Sequence, residues 1–343
     1  MTKRRLTQQQ TTRIRTSQRA RAARVDDQQT APGDDELGPE QPGLIIAHFG
    51  RQVDVEILSG ERAGAIQRCH LRANIEALVT GDRVVWRERA NANGVIVASL
   101  PRHSLLSRPD VHLQQPKPVA ANVDRIIVVI APEPQPFANL IDRYLVAAEA
   151  TDIPPLLLLN KSDLLDPARH PELEALLERY RAIGYTVLRA STIDAQGLDA
   201  LCAQLRDRTS VFVGQSGVGK SSLIRALIPG VDIRIGELST AESKGRHTTT
   251  TAKLFHLPGG GDLIDSPGIR EFGLDHLDRA QIEQGFVEFH EWLGRCKFRD
   301  CRHDREPGCA VQEAVARGEI APHRVELLHA LVRESMSARS RVA

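Results

Sequence analysis

Gly214-Gln215-Ser216-Gly217-Val218-Gly219-Lys220-Ser221 fits the pattern G-x-x-x-x-G-K-[ST] in full, between the β-prone Val211-Phe212-Val213 and the helix-prone Ser222 to Leu227. A strand, a glycine-rich loop and a helix start in that order build a phosphate cradle: glycines let backbone N–H groups close around oxygens, and the helix N-terminus favours negative charge. Two further stretches belong with it. Asn160-Lys161-Ser162-Asp163 precedes the loop, and Asp265-Ser266-Pro267-Gly268 follows it. Each is a piece of a guanine-nucleotide site, yet the base-reading piece comes before the phosphate loop, the reverse of the usual succession. A domain's termini often lie close together, so a chain can be joined there and opened elsewhere without dispersing the site.

Residue types assign roles within that site. Gly214, Gln215, Ser216, Gly217, Val218 and Gly219 form the cradle, Lys220 reaches the β- and γ-phosphates, Ser221 ligates Mg²⁺, and Ser222 continues into the helix. Asp265 ends an apolar pair, Leu263-Ile264, and is placed to hold the Mg²⁺ shell, while the Gly268 amide senses γ-phosphate. Asn160, Lys161, Ser162 and Asp163 end the run Leu156 to Leu159. An aspartate there accepts hydrogen bonds from guanine N1–H and the exocyclic amine; adenine offers an acceptor at N1 and would leave the carboxylate unpaired. Ala190-Ser191-Thr192 stands where a backbone amide meets the guanine oxygen. Between the loops, the run Thr248 to Thr251 offers a second Mg²⁺ hydroxyl, assigned to Thr249, the alternative being that these threonines open a strand. Ile269 follows Gly268 where a water-orienting glutamine is common, so hydrolysis is expected to be slow without outside help. His247 is the nearest catalytic group; the alternative is a solvent-exposed histidine.

Around this centre the chain reads as multi-domain α/β. Its 343 residues are enough for two or three domains, and 41% hydrophobic with 26% charged residues is an ordinary globular composition. Residues 1–40 read as a disordered basic arm: Lys3, Arg4, Arg5, Arg13, Arg15, Arg19, Arg21 and Arg24 carry charge with no acid before residue 25, suiting nucleic-acid phosphates. Residues 41–108 show short, evenly spaced β-prone runs such as Leu44-Ile45-Ile46 and Val53 to Ile57, which suggest a small barrel or sandwich, with a five-stranded barrel of the oligonucleotide-binding (OB) kind the first choice. Residues 109–272 alternate apolar runs with helical spacing (Leu140 to Ala150, Pro171 to Ile183), predicting a doubly wound sheet. Residues 273–343 read as helical, with helices expected over Arg279 to Leu293, Val311 to Arg317 and Arg324 to Met336.

Inside the last segment, Cys296-x4-Cys301-x-His303-x5-Cys309 offers three thiolates and an imidazole, the full ligand set of a structural Zn²⁺ with no position open for catalysis. Arg295, Lys297, Arg299, Arg302 and Arg305 surround it and suit a phosphate backbone. Cys69 and Cys202 stand alone, so the five cysteines form no disulfide framework. The chain shows no apolar stretch of about 20 residues and no signal-peptide core. A cytoplasmic protein, monomeric by default, is expected.

Permuted motifs, a β-rich N-terminal segment and a C-x4-C-x-H-x5-C cluster in this order resemble the RsgA (YjeQ) family, as do Gly81 to Val85, Pro101-Arg102 and Gly245 to Thr250. The resemblance runs from about Gly43 to the C-terminus and leaves the basic arm outside. It implies an OB-fold, a circularly permuted GTPase domain and a zinc domain, with GTP hydrolysis stimulated by the small ribosomal subunit during late subunit maturation. Two other readings stay open at this stage: an RNA-binding scaffold that senses nucleotide with negligible turnover, and a P-loop ATPase or kinase in which Asp163 is irrelevant.

Overall fold

The computed structural model describes residues 37–72, 75, 77–89, 93–108, 117–166, 168–194, 196–230, 252–265, 274 and 277–342, with the side chains of residues 138 and 338–342 excepted. Five strands come first: β1 (Leu37–Phe49), β2 (Gln52–Ile57), β3 (Ile66–Leu71), β4 (Arg83–Arg89) and β5 (Gly94–Ser99). They pair in the order β1-β2-β3-β5-β4 and return to β1, a closed barrel. Closure depends on β1 serving both ends: residues around Leu37 to Leu44 pair with β4 and those from Gly43 to Phe49 with β2, across a register shift between Ile45 and Ala47. Val53, Val55 and Ile57 alternate inward from β2 against Ile45, Trp86 and Ile96. The indole of Trp86 fits because Gly94 lies beside it; a Cβ there would meet Trp86 Cε3 at 2.8 Å.

The barrel begins at Leu37, inside the stretch expected to belong to the arm. Arg87 explains the difference: its guanidinium donates to the carbonyls of Gly38 and Leu37, tying down a Gly-Pro segment that composition alone assigns to a linker.

A hairpin of β6 (Leu105–Arg108) and β7 (Lys117–Ala121) leads into the α/β part of the sheet, which is continuous with the barrel strands. Its strands are β8 (Arg125–Ile130), β9 (Pro155–Leu159), β10 (Val187–Arg189), β11 (Thr209–Val213), β12 (Lys253–His256) and β13 (Asp262–Asp265), ordered β10-β9-β8-β11-β13-β12. All but β12 run parallel. Helices α1 (Ala138–Glu149), α2 (Pro171–Ile183), α3 (Asp199–Leu205) and α4 (Lys220–Leu227) alternate with them. Strand residues divide between two cores by simple alternation. Ile126, Val128, Leu157, Val211 and Ile264 face α1 and α2, whereas Ile127, Val129, Leu156, Phe212 and Leu263 face α3 and α4. Helix α2 buries Leu173, Leu176, Leu177 and Tyr180 at helical spacing and ends on Gly184 in the left-handed region.

The C-terminal helices are α5 (Arg279–Gln284), α6 (Ala310–Ala316) and α7 (Pro322–Val342). The helix expected over Arg279 to Leu293 is broken: α5 stops before Gly285, and a 3₁₀ turn over Val287–Phe289 follows. Gly285 presses on α1, where a Cβ would meet Val146 Cγ1 at 2.6 Å and Val146 O at 2.8 Å. The turn stacks Phe289 on Phe286 at 5.0 Å, both fully buried in the core shared with the sheet. Beside them Arg324 of α7, 3% exposed, bridges Asp142 of α1 and Glu288. No helix among the described residues is long and apolar enough to cross a membrane.

Candidate functional site

Parallel pairing aligns strand ends. Val213 pairs with Val128, Val128 with Leu157, Leu157 with Val187, and Val211 with Ile264. The C-terminal ends of β8, β9, β10, β11 and β13 therefore share one edge of the sheet, where ligands of such folds bind. Asn160 to Asp163 leave from β9, Ala190-Ser191-Thr192 from β10, and Gly214 onward from β11, while Asp265 ends β13, half-buried. Sheet order thus undoes the permutation of the chain.

The phosphate loop is built by its glycines. Gly214, Gly217 and Gly219 have φ of +139°, +86° and +93°. Gly214 lies so close to β8 that a Cβ would meet Val129 O at 2.2 Å, and one on Gly219 would meet Asn160 Nδ2 at 2.4 Å. Val218 anchors the loop in the core at 2% exposure, leaving Ser216 and Gly217 exposed. Lys220 opens α4 and folds its ammonium back into the loop, donating to Gly214 O (2.6 Å) and Gln215 O (2.8 Å). Ser221 and Ser222 follow in the first turn, half-buried. The absence of a Cβ at Gly214, Gly217 and Gly219, and a cation already folded into the loop, fit a phosphate ligand.

The loop from Asn160 to Asp163 is fastened to this cradle. Asn160, 1% exposed, donates from Nδ2 to Val218 O at 2.8 Å. Lys161 adopts φ +54° and donates from Nζ to Gly217 O (2.8 Å) and Glu133 O (2.9 Å). Asp163 is exposed at the mouth, and Ser191, 3% exposed, donates from Oγ to Asp163 Oδ1 at 2.6 Å. Ile193 N donates to the same Ser191 hydroxyl at 3.2 Å, so the hydroxyl is held from both sides. Sequence reasoning singled out Ala190-Ser191-Thr192 for its backbone and missed the serine hydroxyl as the group that aims Asp163. A serine at the end of β10, level with the aspartate loop on β9, was the available signal. The Glu133 carbonyl carried none. His247, Thr249, Gly268 and Ile269 lie outside the described residues.

The cysteine and histidine ligand atoms of Cys296, Cys301, His303 and Cys309 all lie within 4.8 Å of one another. Cys296 Sγ is 3.9 Å from Cys309 Sγ and 3.6 Å from His303 Nδ1, which is 3.4 Å from Cys309 Sγ. Tetrahedral Zn²⁺ with ordinary Zn–S and Zn–N lengths separates its ligand atoms by roughly 3.5–3.8 Å, so the donor set fits such an ion. His303 turns Nε2 toward Glu283, 3.8 Å away, and burial lowers its pKa, favouring the neutral ring. The loop between ligands is pinned by Glu306, which accepts from the Arg302 and Asp304 amides at 2.9 Å each; those backbone bonds, Arg302's first, lower its pKa to about 2. Arg295, Lys297, Arg299, Arg302 and Arg305 are all exposed around the cluster, with Arg295 and Arg317 over the Trp292 ring.

Comparison with known proteins agrees with this geometry. A model described as RsgA GTPase matches residues 99–275. Proteins named small ribosomal subunit biogenesis GTPase RsgA from Ectopseudomonas mendocina (strain ymp) and Azotobacter vinelandii (strain DJ) are each 59% identical over 329 residues, covering 95% of this chain and 96% of the relative. Among solved structures, YjeQ from Thermotoga maritima superposes with a TM-score of 0.72 at 31% identity, covering 87% of this chain and 99% of that one. YloQ, described as a circularly permuted GTPase, gives 0.68 at 29% identity, covering 90% and 98%. With its permuted loops on one sheet edge, a closed five-stranded barrel and a Cys₃His cluster, this chain belongs to the RsgA GTPase family.

Proposed function

We infer that the chain binds GTP at the sheet edge, hydrolyses it to GDP and phosphate, and acts on the small ribosomal subunit during its late maturation. The fastening of Asn160 and Lys161 onto Val218 and Gly217 carries this reading, since it unites a guanine-reading loop with a phosphate cradle. Family membership and the relatives' name support the ribosomal role.

In the proposed site, residues 214–219 hold the phosphates. Lys220 exchanges its loop carbonyls for β- and γ-oxygens, and Asp163, aimed by Ser191, accepts the guanine N–H groups. Ser221 and Asp265 would hold Mg²⁺, which would supply charge neutralisation on the phosphate oxygens. Water attacks the γ-phosphorus, and the bond to the bridging oxygen breaks toward GDP. Ile269 cannot orient that water, which accounts for slow turnover by the protein alone; His247 and Thr249 stay in the proposal as the activating group and the second Mg²⁺ hydroxyl, with Gly268 sensing γ-phosphate. The Cys₃His cluster holds a structural Zn²⁺ that shapes a basic surface for ribosomal RNA, and the protein works as a cytoplasmic monomer. In domain terms we propose an arm, a barrel, a GTPase unit and a zinc unit.

Multiple-turnover GTP hydrolysis, measured with and without purified small subunits at low and moderate salt, tests this. Slow turnover alone, marked stimulation by subunits and weaker stimulation at higher salt are expected, because phosphate contacts release counterions. Absence of stimulation at either salt would favour a nucleotide-sensing scaffold instead.

A further inference from the structure

The turn Thr80-Gly81-Asp82 leads into β4 of the barrel, far in sequence from the nucleotide loops, and no role in the site accounts for it. Thr80 and Asp82 are fully buried polar residues. Thr80 donates from Oγ1 to Ala252 O at 2.9 Å, across 172 residues of chain. Its carbonyl accepts from the Ala121 amide at 2.9 Å. Gly81, at φ +92°, packs so closely that a Cβ would meet Ala121 O at 2.2 Å and Ile264 Cδ1 at 3.2 Å. The Gly81 amide donates to Ile45 O (2.8 Å), and the Ile45 amide donates to Asp82 O (2.9 Å). Asp82 Oδ2 accepts from the Val79 amide at 2.7 Å, and Arg102 clamps both carboxylate oxygens at 2.7 and 2.8 Å.

What this turn touches gives it meaning. Ala252 directly follows the stretch containing His247 and Thr249, and Ile264 directly precedes Asp265. The strands that lie between these two stretches of sequence, β12 and β13, are thus gripped by the barrel. The grip is repeated along β12: Ala47 of β1 pairs with Lys253, and His256 stands between Asp262 (2.6 Å) and Glu56 of β2 (2.7 Å).

We propose that Thr80-Gly81-Asp82 is a coupling joint through which the position of the barrel biases β12 and β13, with Thr80 transmitting the effect of subunit docking and taking no part in hydrolysis by the protein alone. The proposal rests on the GTPase reading. A barrel docked on the small subunit then biases β12 and β13, and nucleotide state in turn biases the barrel, as reciprocal linkage requires. The close packing at Gly81 and the buried donor at Thr80 leave little slack to absorb such a shift.

Thr80→Val keeps the side chain's shape, removes the donor and leaves Ala252 O without it. Expected is a loss of about 5-fold or more in the stimulation of GTP turnover by small subunits, the low end of typical coupling between sites, with basal turnover unchanged and with Thr80→Ser restoring the stimulation. A Thr80→Val protein stimulated as fully as the wild type would overturn the joint. Amide hydrogen exchange on the full-length wild type provides an arm independent of any variant's folding. The Gly81 and Ile45 amides should exchange at different rates with GDP and with a non-hydrolysable GTP analogue, and equal rates would also overturn it. If the wild type showed no turnover under any condition, hydrolysis itself would be in error, and the exchange measurement would decide the joint alone.

Discussion

Replacing Gly219 with alanine puts a methyl group where the phosphate loop meets the base-reading loop. At φ +93° any residue with a Cβ is strained, by about 1–2 kcal/mol. The new Cβ would also lie 2.4 Å from Asn160 Nδ2, well inside contact distance, so the amide must withdraw from Val218 O. Losing that buried hydrogen bond costs about 1–3 kcal/mol more. The nucleotide-free protein can escape much of this, because Ser216 and Gly217 are exposed and the loop can shift. The bound state cannot, since the cradle and the guanine-reading loop must close on one ligand. The penalty therefore falls on binding: about 2 kcal/mol or more, ~30-fold in the dissociation constants of both GDP and GTP. Titration with fluorescent GDP and GTP analogues at saturating Mg²⁺ measures it, with thermal melting of the free variant as control. Dissociation constants within about 3-fold of the wild type, in a folded variant, would refute the reasoning that joins the two loops.

Arg324→Leu should cost about 3–5 kcal/mol in urea denaturation, because it strands the buried carboxylate of Asp142 beside the half-buried one of Glu288. Burial already raises the Asp142 pKa against the pull of Arg324, so the deficit should shrink toward acid pH as that carboxyl binds a proton; a variant as stable as wild type would show that the clamp contributes nothing. His256 meets opposing influences: burial disfavours its charge, while the hydrogen bonds it donates to Asp262 and Glu56 outweigh that and raise the pKa above 6.5. Its ion pairs therefore stabilise the fold fully below 6.5 and lose that contribution as pH rises through the raised value. The stability difference between wild type and His256→Gln should accordingly be greatest at acid pH and fade toward alkaline pH; a pH-independent difference would contradict it. Zinc released by thiol modification should amount to about one ion per chain and fall in Cys309→Ser. Because Cys301 and Cys309 share a core with Phe286, Val311 and Leu328, chelation should lower the melting of the sheet domain too, and an unaltered melt would count against a structural metal.

The long apolar runs were legible because burial on both faces leaves a strand no choice of residue. Ile126 to Ile130 and Leu156 to Leu159 lie in β8 and β9, and Pro171 to Ile183 is α2, bounded by a proline and a glycine as its sequence signals. Strand β3 was illegible for the opposite reason. Its inward residues are Gln67 and Cys69, while Ile66 points outward at 60% exposure, inverting the pattern that marks a strand. Gly285 had an unremarkable setting in sequence, and only its contact with Val146 shows why the helix ends there. At the candidate nucleotide site, each loop pattern could be recognised singly from the sequence. The fastening of the loops through Asn160, Lys161 and Ser191 could not, because those partners lie tens of residues away and depend on strand order. The contact of Thr80 with Ala252 left no trace in the sequence, since a buried threonine bonded to a distant carbonyl looks like any other.

Nucleotide competition on Asp163→Asn bears most directly on whether loops from β9, β10, β11 and β13 serve one guanine nucleotide despite their order in the chain. The wild type should prefer GDP over ADP by on the order of 10³-fold or more, and the variant should lose most of that preference while still binding phosphates through residues 214–221. Undiminished guanine preference in Asp163→Asn would contradict a shared site.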